Sequence, residues 1–404
     1  MSQQPLPEIL FVSHKYPPAT GGMEKQSYEL IQGSARYAKI HKLVFRKDKE
    51  SLLTFFFLLN HRILTLLKAH PQIQVIHFND GLIASLALSH KGYGHLRKMV
   101  TLHGLDIVFP WAFFQKRIIP KLAAHYDKII TVSQATADAA IWRGVPREKV
   151  YVIPNGVDTE GIDRGNLERA DLQRRFPHIA TGQKYLITLG RPVQRKGFSW
   201  LLEEVVLQLP ADVKIFMVGP FQKKTGLSER LLYALPKKFR SLLFLFLGYP
   251  SDQAAIRRLL KKREIKDRVI HFGKVPFSDL KLLLANASAF LMPNIRVDGD
   301  MEGFGLVCLE ASLAGTLVIA SKIDGITDAI KQDRNGILLP SNDAKAWVAQ
   351  LEELFSDEEH FRMAALRYQE YSRNHYGWDK MCRKYVELML ERRLVSEPVL
   401  EVQK

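Results

Sequence analysis

Cysteine is almost absent: Cys308 and Cys382 are the only two in 404 residues. They lack metal-ligand spacing, so neither a disulfide framework nor a structural zinc site is expected, and both read as buried thiols. Long apolar runs are missing too. No stretch approaches the roughly 18 apolar residues that cross a bilayer, and Met1–Glu8 has no basic region followed by an apolar core, so the chain is expected to stay in the cytoplasm. The G-x-G-x-x-G dinucleotide fingerprint does not occur. Acidic residues are outnumbered, 42 against 58 Lys and Arg, for a net charge of +16. Such an excess favours nucleic acid, anionic lipid or a phosphorylated ligand. The bases are scattered through both halves without helix-turn-helix spacing, an RNP motif or a zinc-finger pattern, so nucleic acid is not expected as a partner.

What remains is a globular composition, 47% apolar and 25% charged, in a chain too long for one ordinary core. Short apolar runs bounded by turn residues recur at Ile9–Ser13, Val75–Phe78, Met99–Leu102, Lys128–Val132 and Val150–Ile153, with helical periodicity between them. After a polar stretch near Asp158–Gln183 the rhythm restarts at Tyr185–Leu189, Lys214–Val218, Val269–Phe272, Ala289–Met292 and Leu317–Ala320. The pattern predicts two α/β domains, residues 1–170 and 171–375. The segment from Trp378 to about Arg393, within residues 376–404, reads as a helix packed back on the N-terminal domain. Open parallel sheets bind ligands at the carboxyl ends of their strands, so those ends are where chemistry is expected.

Four strand ends carry it. Gly21 and Gly22 follow the first strand and open a helix, where the backbone can approach an anion. His103, in Thr101-Leu102-His103-Gly104, stands just past another strand. Arg191 and Lys196 lie on the turn after Tyr185–Leu189, spaced to converge on a diphosphate and neutralise charge on a leaving group. In the stretch from Asp300 to Ala311, Glu302 precedes an apolar helix and Glu310 lies about two turns inside it. Glu302 can accept from sugar hydroxyls, the amides of Gly303, Phe304, Gly305, Leu306 and Val307 can face a phosphate, and Glu310 can take two ribose hydroxyls. Taken singly, these are compatible with a tight turn, a structural histidine, solvated bases and an ordinary helix carboxylate.

Together and in order they resemble a retaining glycosyltransferase of family 4. The resemblance runs from Gly21-Gly22 through Thr101-Leu102-His103-Gly104, Thr131-Val132-Ser133, Ile153-Pro154-Asn155-Gly156-Val157-Asp158, Gly190-Arg191 and Lys196-Gly197 to Glu302 and Glu310. It implies the GT-B architecture, two Rossmann-like α/β domains whose parallel sheets face an interdomain cleft. It also implies transfer of a sugar from a nucleotide-diphosphate sugar with retention of configuration and no metal or other cofactor. Gly21 and Gly22 would contact the donor phosphates, and Arg191 and Lys196 would stabilise the departing diphosphate. Glu302 would hold the donor sugar, Glu310 the ribose, and His103 would sit beside the reacting sugar. At Arg195 the chain departs from the family, which often has an acidic residue there.

Alternatives of the same cleft are a nucleotide-sugar 2-epimerase and a non-catalytic sugar-nucleotide-binding protein. Asp298-Gly299-Asp300 spells D-x-D, a cation motif in the other glycosyltransferase architecture; because Arg191 and Lys196 already supply positive charge, it is expected as a solvated or acceptor-side loop. The acceptor, lipid-linked, polysaccharide or small molecule, is not legible. Ser51–Lys68, Trp111–Lys121 and Lys237–Leu247 mix bases with apolar residues and suit peripheral contact with anionic lipid. Replacing Lys196 or Glu302 by Ala is expected to abolish turnover with little loss of folding.

Overall fold

The computed structural model describes residues 6–159, 168–221 and 251–391. They form two six-stranded, wholly parallel sheets. The first comprises β1 (Glu8–Ser13), β2 (Lys39–Val44), β3 (Ile73–Phe78), β4 (Arg97–Leu102), β5 (Lys128–Thr131) and β6 (Val150–Val152), ordered β2-β1-β3-β4-β5-β6. The second comprises β7 (Tyr185–Leu189), β8 (Lys214–Val218), β9 (Val269–Gly273), β10 (Ala289–Met292), β11 (Val318–Ser321) and β12 (Ile337–Leu339), ordered β12-β11-β10-β7-β8-β9. This is the two-domain α/β arrangement expected of the GT-B architecture.

Helices on both faces explain why the strands read as unbroken apolar runs and not as alternating ones. In β1, Leu10 and Val12 enter one core while Ile9 and Phe11 enter another on the opposite face, as the two-residue side-chain period requires. In the second sheet Leu186 and Tyr185 divide in the same way. The two strands that the apolar pattern did not reveal have local reasons. Edge strand β2, Lys-Ile-His-Lys-Leu-Val, interleaves its apolar residues with Lys39, His41 and Lys42 and has no fully buried position, and β12 has only three residues.

Helix Trp378–Leu390 returns from the second half of the chain onto the first sheet. Its buried Trp378, Met381, Cys382, Tyr385, Val386 and Met389 recur at helical spacing and pack with Ile9, Phe11, Leu30, Val75 and Met99. The Tyr385 hydroxyl meets Thr101 at 3.2 Å, and Asp379 accepts from Arg36 and Tyr37 at 2.9 Å each. Where the chain crosses between halves, the Val157 amide donates to the Tyr376 carbonyl at 2.7 Å, so the outgoing and returning segments run side by side.

Helix Leu52–Ala69 corrects one expectation. Its 18 residues are long and apolar enough, by length and composition, to cross a membrane. In the fold it lies on the first sheet, with Phe55, Leu59 and Ile63 in the core, while Leu53 and Phe57 are 81% and 88% exposed. Asn60, His61 and Arg62 interrupt its apolar sequence, which is why a search for an unbroken run passes over it.

Met381 is 2% exposed in the packed-back helix. Met381→Ala should therefore cost about 2–5 kcal/mol through transfer and cavity effects, read as a lowered urea midpoint; an unchanged midpoint would show that this helix does not secure the first sheet.

Candidate active site

Each sheet reverses its strand order once, between β1 and β3 in the first and between β7 and β10 in the second. The crevices beyond such switch points are where open α/β sheets take ligands. The loops leaving β1 and β7 hold Gly21, Gly22, Arg191 and Lys196; those leaving β4 and β10 hold His103 and Glu302.

At the second switch point Lys196 pairs with Glu302, their Nζ and Oε2 2.8 Å apart with side chains only 9% and 14% exposed. Asn294 donates to the same oxygen at 3.4 Å, and Arg195 Nε stands 3.5 Å from it. Burial alone would raise the Glu302 pKa, but Lys196 and Arg195 outweigh it and hold it at about 2. The carboxylate is thus an obligate acceptor at neutral pH. Its Oε1 has no hydrogen bond among the described residues.

Arg195, the position that departs from the family pattern, pairs with Asp300 at 3.3 Å. Asp300 is 4% exposed by side chain, so the reading of Asp298-Gly299-Asp300 as a solvated loop fails for Asp300. The reason is local: an extra guanidinium at 195 needs a carboxylate once the loop is folded over it. Gly299 meanwhile packs against Pro110 of the first half, since a Cβ there would lie 2.6 Å from its ring.

His103 is brought to Glu302 by the backbone. A Cβ on Gly303 would lie 2.0 Å from the His103 carbonyl oxygen, and one on Gly104, at φ +107°, would lie 3.0 Å from Gly303 Cα. Only glycine lets the two loops touch at this distance. The His103 ring meets the Asn79 carbonyl through Nε2 at 2.8 Å. A carbonyl only accepts, so Nε2 carries the proton, and Nδ1 is the ring atom left to meet a ligand. Asp106 accepts from the His103 amide at 2.8 and 3.0 Å and from the Gly81 amide at 3.0 Å, fixing the loop.

The remaining predicted residues separate into two groups. Glu310 lies on helix Leu306–Leu313 and borders a cavity of about 540 Å3, with Gly21, Lys25, Tyr28, Asp158 and Phe277. Leu306 faces Gly22 across the cleft, 3.5 Å from where a Cβ on that glycine would stand. Arg191 is exposed and makes no ion pair among the described residues. Phe304 differs: its ring is buried with Val132, Val157, Leu309 and Tyr376, so only its backbone is available to a ligand. Gly305, in the left-handed region at φ 90°, caps the helix behind it.

Sequence reasoning missed several neighbours. Lys25 bridges Glu310 at 3.2 Å and Asp158 at 3.0 Å; it lies in the first turn of the helix that Gly22 opens. His14 and Asp80, at the ends of β1 and β3, form a 2.8 Å contact. Burial would raise the Asp80 pKa, but His14 and the helix amides it caps hold it below the usual range. Asp324 accepts from the Glu302 amide at 3.2 Å. The one legible signal for Asp80 and Asp106 was an acidic residue close behind a strand end.

Two family descriptions match the chain: Glycosyl transferases group 1 over residues 170–375 and Glycosyltransferase Family 4 over residues 10–161. The putative colanic acid biosynthesis glycosyltransferase WcaL of Escherichia coli is 27% identical over 227 residues, 52% of this chain and 55% of that protein. The chain thus spans little more than half of that relative's length. A GDP-mannose-dependent phosphatidylinositol monomannoside mannosyltransferase of Mycobacterium tuberculosis is 21% identical over 94% of this chain and 97% of its own. Among solved structures, HepE of Anabaena in complex with UDP superimposes with a TM-score of 0.70 at 17% identity, covering 95% of this chain and 100% of that one. Sucrose-phosphate synthase of Thermosynechococcus elongatus gives 0.72 at 19% identity, with 95% and 98% covered. At these identities the structures establish a shared fold.

The enclosed Lys196–Glu302 pair changes the expectation that either residue can be removed with little loss of folding, because each truncation leaves a largely buried opposite charge. Glu302 has a native pKa of about 2 against an ordinary value of 4.5. Its contribution is fully present above the unfolded value and is lost as pH falls through the folded one, on the order of 3 kcal/mol in all. Glu302→Gln should be about 3 kcal/mol less stable at pH 7 in urea unfolding, with the deficit falling to roughly half at pH 3; an equal deficit at both pH values would refute the pairing.

Proposed function

The chain belongs to the group 1 glycosyltransferases, and from that premise we propose that it moves a sugar from a nucleoside-diphosphate sugar to an acceptor hydroxyl with retention of configuration. The observation that carries this is the Lys196–Glu302 contact at the second sheet's switch point, held against the His103 loop of the first sheet. Lys196 and Arg191 neutralise the diphosphate as its bond to the anomeric carbon breaks. Glu302, kept ionised by the neighbouring cations, receives donor-sugar hydroxyls on its open Oε1. His103 meets the reacting sugar through Nδ1, and Glu310 takes the ribose once Lys25 yields. The backbone of Gly21, Gly22 and the turn from Gly303 to Leu306 lines the phosphate path.

The reaction needs no metal in this reading, because the cations above carry the compensating charge and Arg195 already occupies Asp300. WcaL is named for colanic acid biosynthesis and the mycobacterial enzyme for a phosphatidylinositol monomannoside, so the acceptor proposed is a polysaccharide or lipid-linked hydroxyl. Neither relative is named an epimerase or a sensor.

Peripheral contact with a membrane from the cytoplasmic side fits such an acceptor. Leu53, Phe57, Trp111 and Phe113 are exposed on the first half. Phe56, beside Phe57, packs its ring 5.6 Å from His14, which places that helix near the end of β1. Lys116, Arg117 and Lys121 follow Phe113, a mixture suited to an anionic interface. The third candidate segment, Lys237–Leu247, lies outside the described residues.

Two measurements test this reading. In a thermal-shift panel of nucleotide sugars, one donor should raise the melting temperature, as linkage requires of a ligand bound to the native state. Arg191→Ala, at an exposed residue without an ion pair among the described residues, should fold normally yet bind that donor about 10–100-fold more weakly, the loss of one charged hydrogen bond; no shift with any nucleotide sugar would sink the proposal. In flotation with anionic vesicles the protein should rise with the lipid, and Phe57→Ser combined with Trp111→Ser should leave it behind. Absence from the lipid fraction at low and high salt alike would count against the membrane contact.

A further inference from the structure

At the opposite end of the first sheet from the cleft, three potential ligands converge that the transfer reaction does not use. Glu8 opens β1, His41 lies on β2, and His70 caps the end of helix Leu52–Ala69. Glu8 stands opposite Lys39 in the β1–β2 register, and His41, two residues further, shares that face. His41 Nε2 is 2.7 Å from Glu8 Oε2, while Lys39 Nζ holds the other carboxylate oxygen at 2.8 Å. The His70 ring lies against that of His41, with centroids 4.1 Å apart and planes inclined by 34°. One ligand atom from each of Glu8, His41 and His70 lies within 4.8 Å of the others.

We propose that Glu8, His41 and His70 form a structural binding site for a divalent ion of the zinc class. Two imidazoles and one carboxylate are donors that zinc, cobalt and nickel accept readily, whereas magnesium prefers an all-oxygen shell. A tetrahedral ion with bonds of about 2.0–2.1 Å needs ligand atoms roughly 3.4 Å apart. From 2.7 Å the His41 and Glu8 ligand atoms must therefore part by about 0.7 Å, while a pair at the 4.8 Å limit must close by about 1.4 Å, movements assigned to side-chain rotation, chiefly of the half-buried His70. Lys39 occupies Oε1 and so leaves Oε2 as a single-point ligand directed at the imidazoles. The proton on His41 Nε2 transfers to Nδ1 or leaves, freeing that lone pair, and solvent completes the shell.

The position explains what the ion does. β2 is the edge strand of its sheet, and Glu8 lies five residues before Ser13, about 16 Å along the strand from the cleft end. An ion here clamps the edge strand and the end of helix Leu52–Ala69 onto β1, securing an otherwise open sheet margin. It touches none of the groups assigned to transfer, so this site stands or falls separately from the proposed activity.

Isothermal titration of the full-length protein with Zn2+ tests the site, with Mg2+ as a separate arm. One equivalent of Zn2+ should bind in the micromolar range or tighter, with no response to Mg2+. His70→Gln and His41→Gln should each weaken it at least tenfold, while His360→Gln, an exposed histidine elsewhere, should not. Co2+ should develop the intense visible absorption of a tetrahedral site, lost in the same two variants. Should His41→Gln fail to fold, the half-buried His70→Gln decides the matter. Absence of Zn2+ binding, or binding of equal strength in the wild type and His70→Gln, overturns the proposal.

Discussion

The geometry of the cleft depends on a contact between two pieces of backbone. Gly303 lies so close to the His103 carbonyl that no side chain fits between them, and Gly104 closes the same gap from the other side. Gly325 continues the stack, its amide donating to the Glu302 carbonyl at 3.0 Å. Because backbone meets backbone, the side chains on either side, His103 and Glu302, are presented to one region of the cleft. A single methyl group at Gly303 would force the loops apart and separate the two halves of the chemistry.

Around that contact the buried cations and carboxylates are paired. Lys196 and Arg195 are matched by Glu302 and Asp300. Arg191 remains outside the set. Arg191 thus has no ion pair among the described residues, whereas Lys196 is matched by a carboxylate, Glu302, at 2.8 Å. Lys25 follows another logic. Burial disfavours its charge, but Glu310 and Asp158 more than compensate and raise its pKa. With side chains 27% and 15% exposed, the Lys25–Glu310 pair is more enclosed than a surface salt bridge, so removing either partner alone leaves a partly buried charge.

Arg191 and His103 were legible because each sits immediately behind a buried apolar strand. Tyr185–Leu189 announces itself as a strand, and so places Arg191 and Lys196 at a carboxyl end without any knowledge of packing. The same holds for His103 behind Met99–Leu102. Partners set by long-range packing could not be read this way. Asp300 was taken for a solvated residue because its counterion, Arg195, lies 105 positions away. His14 and Asp80 were missed because neither belongs to a motif; only the order β1 beside β3 makes them neighbours. At Phe304 the expectation concerned the backbone amide, and burial of the apolar ring between Val132 and Tyr376 was not legible because both neighbours come from distant parts of the chain. Strand β2 escaped detection because it sits at the sheet edge, where charged residues are tolerated.

The connection between the halves completes the argument. Two chain segments cross from one sheet to the other, and they are tied together by the Val157–Tyr376 hydrogen bond and by Trp378, whose indole donates to Asp158 at 2.9 Å. Gly156 lies where a Cβ would fall 2.6 Å from the Trp378 backbone, so this crossing is packed as tightly as the cleft contact. The apolar cluster of Val132, Val157, Phe304, Leu309, Leu313, Ala329 and Tyr376 draws on both halves at the crossing, while the returning helix is buried against the first sheet. Separation of the halves would therefore expose that shared cluster as well as break the polar and glycine contacts of the cleft. Among the described residues those polar contacts include the Gln134 amide to Asp328 at 2.9 Å and Lys25 to Glu310 at 3.2 Å. The larger cores on the faces of each sheet lie outside the shared cluster, so a change in the spacing of the halves would act on the crossing and the cleft before it acted on the packing within either sheet.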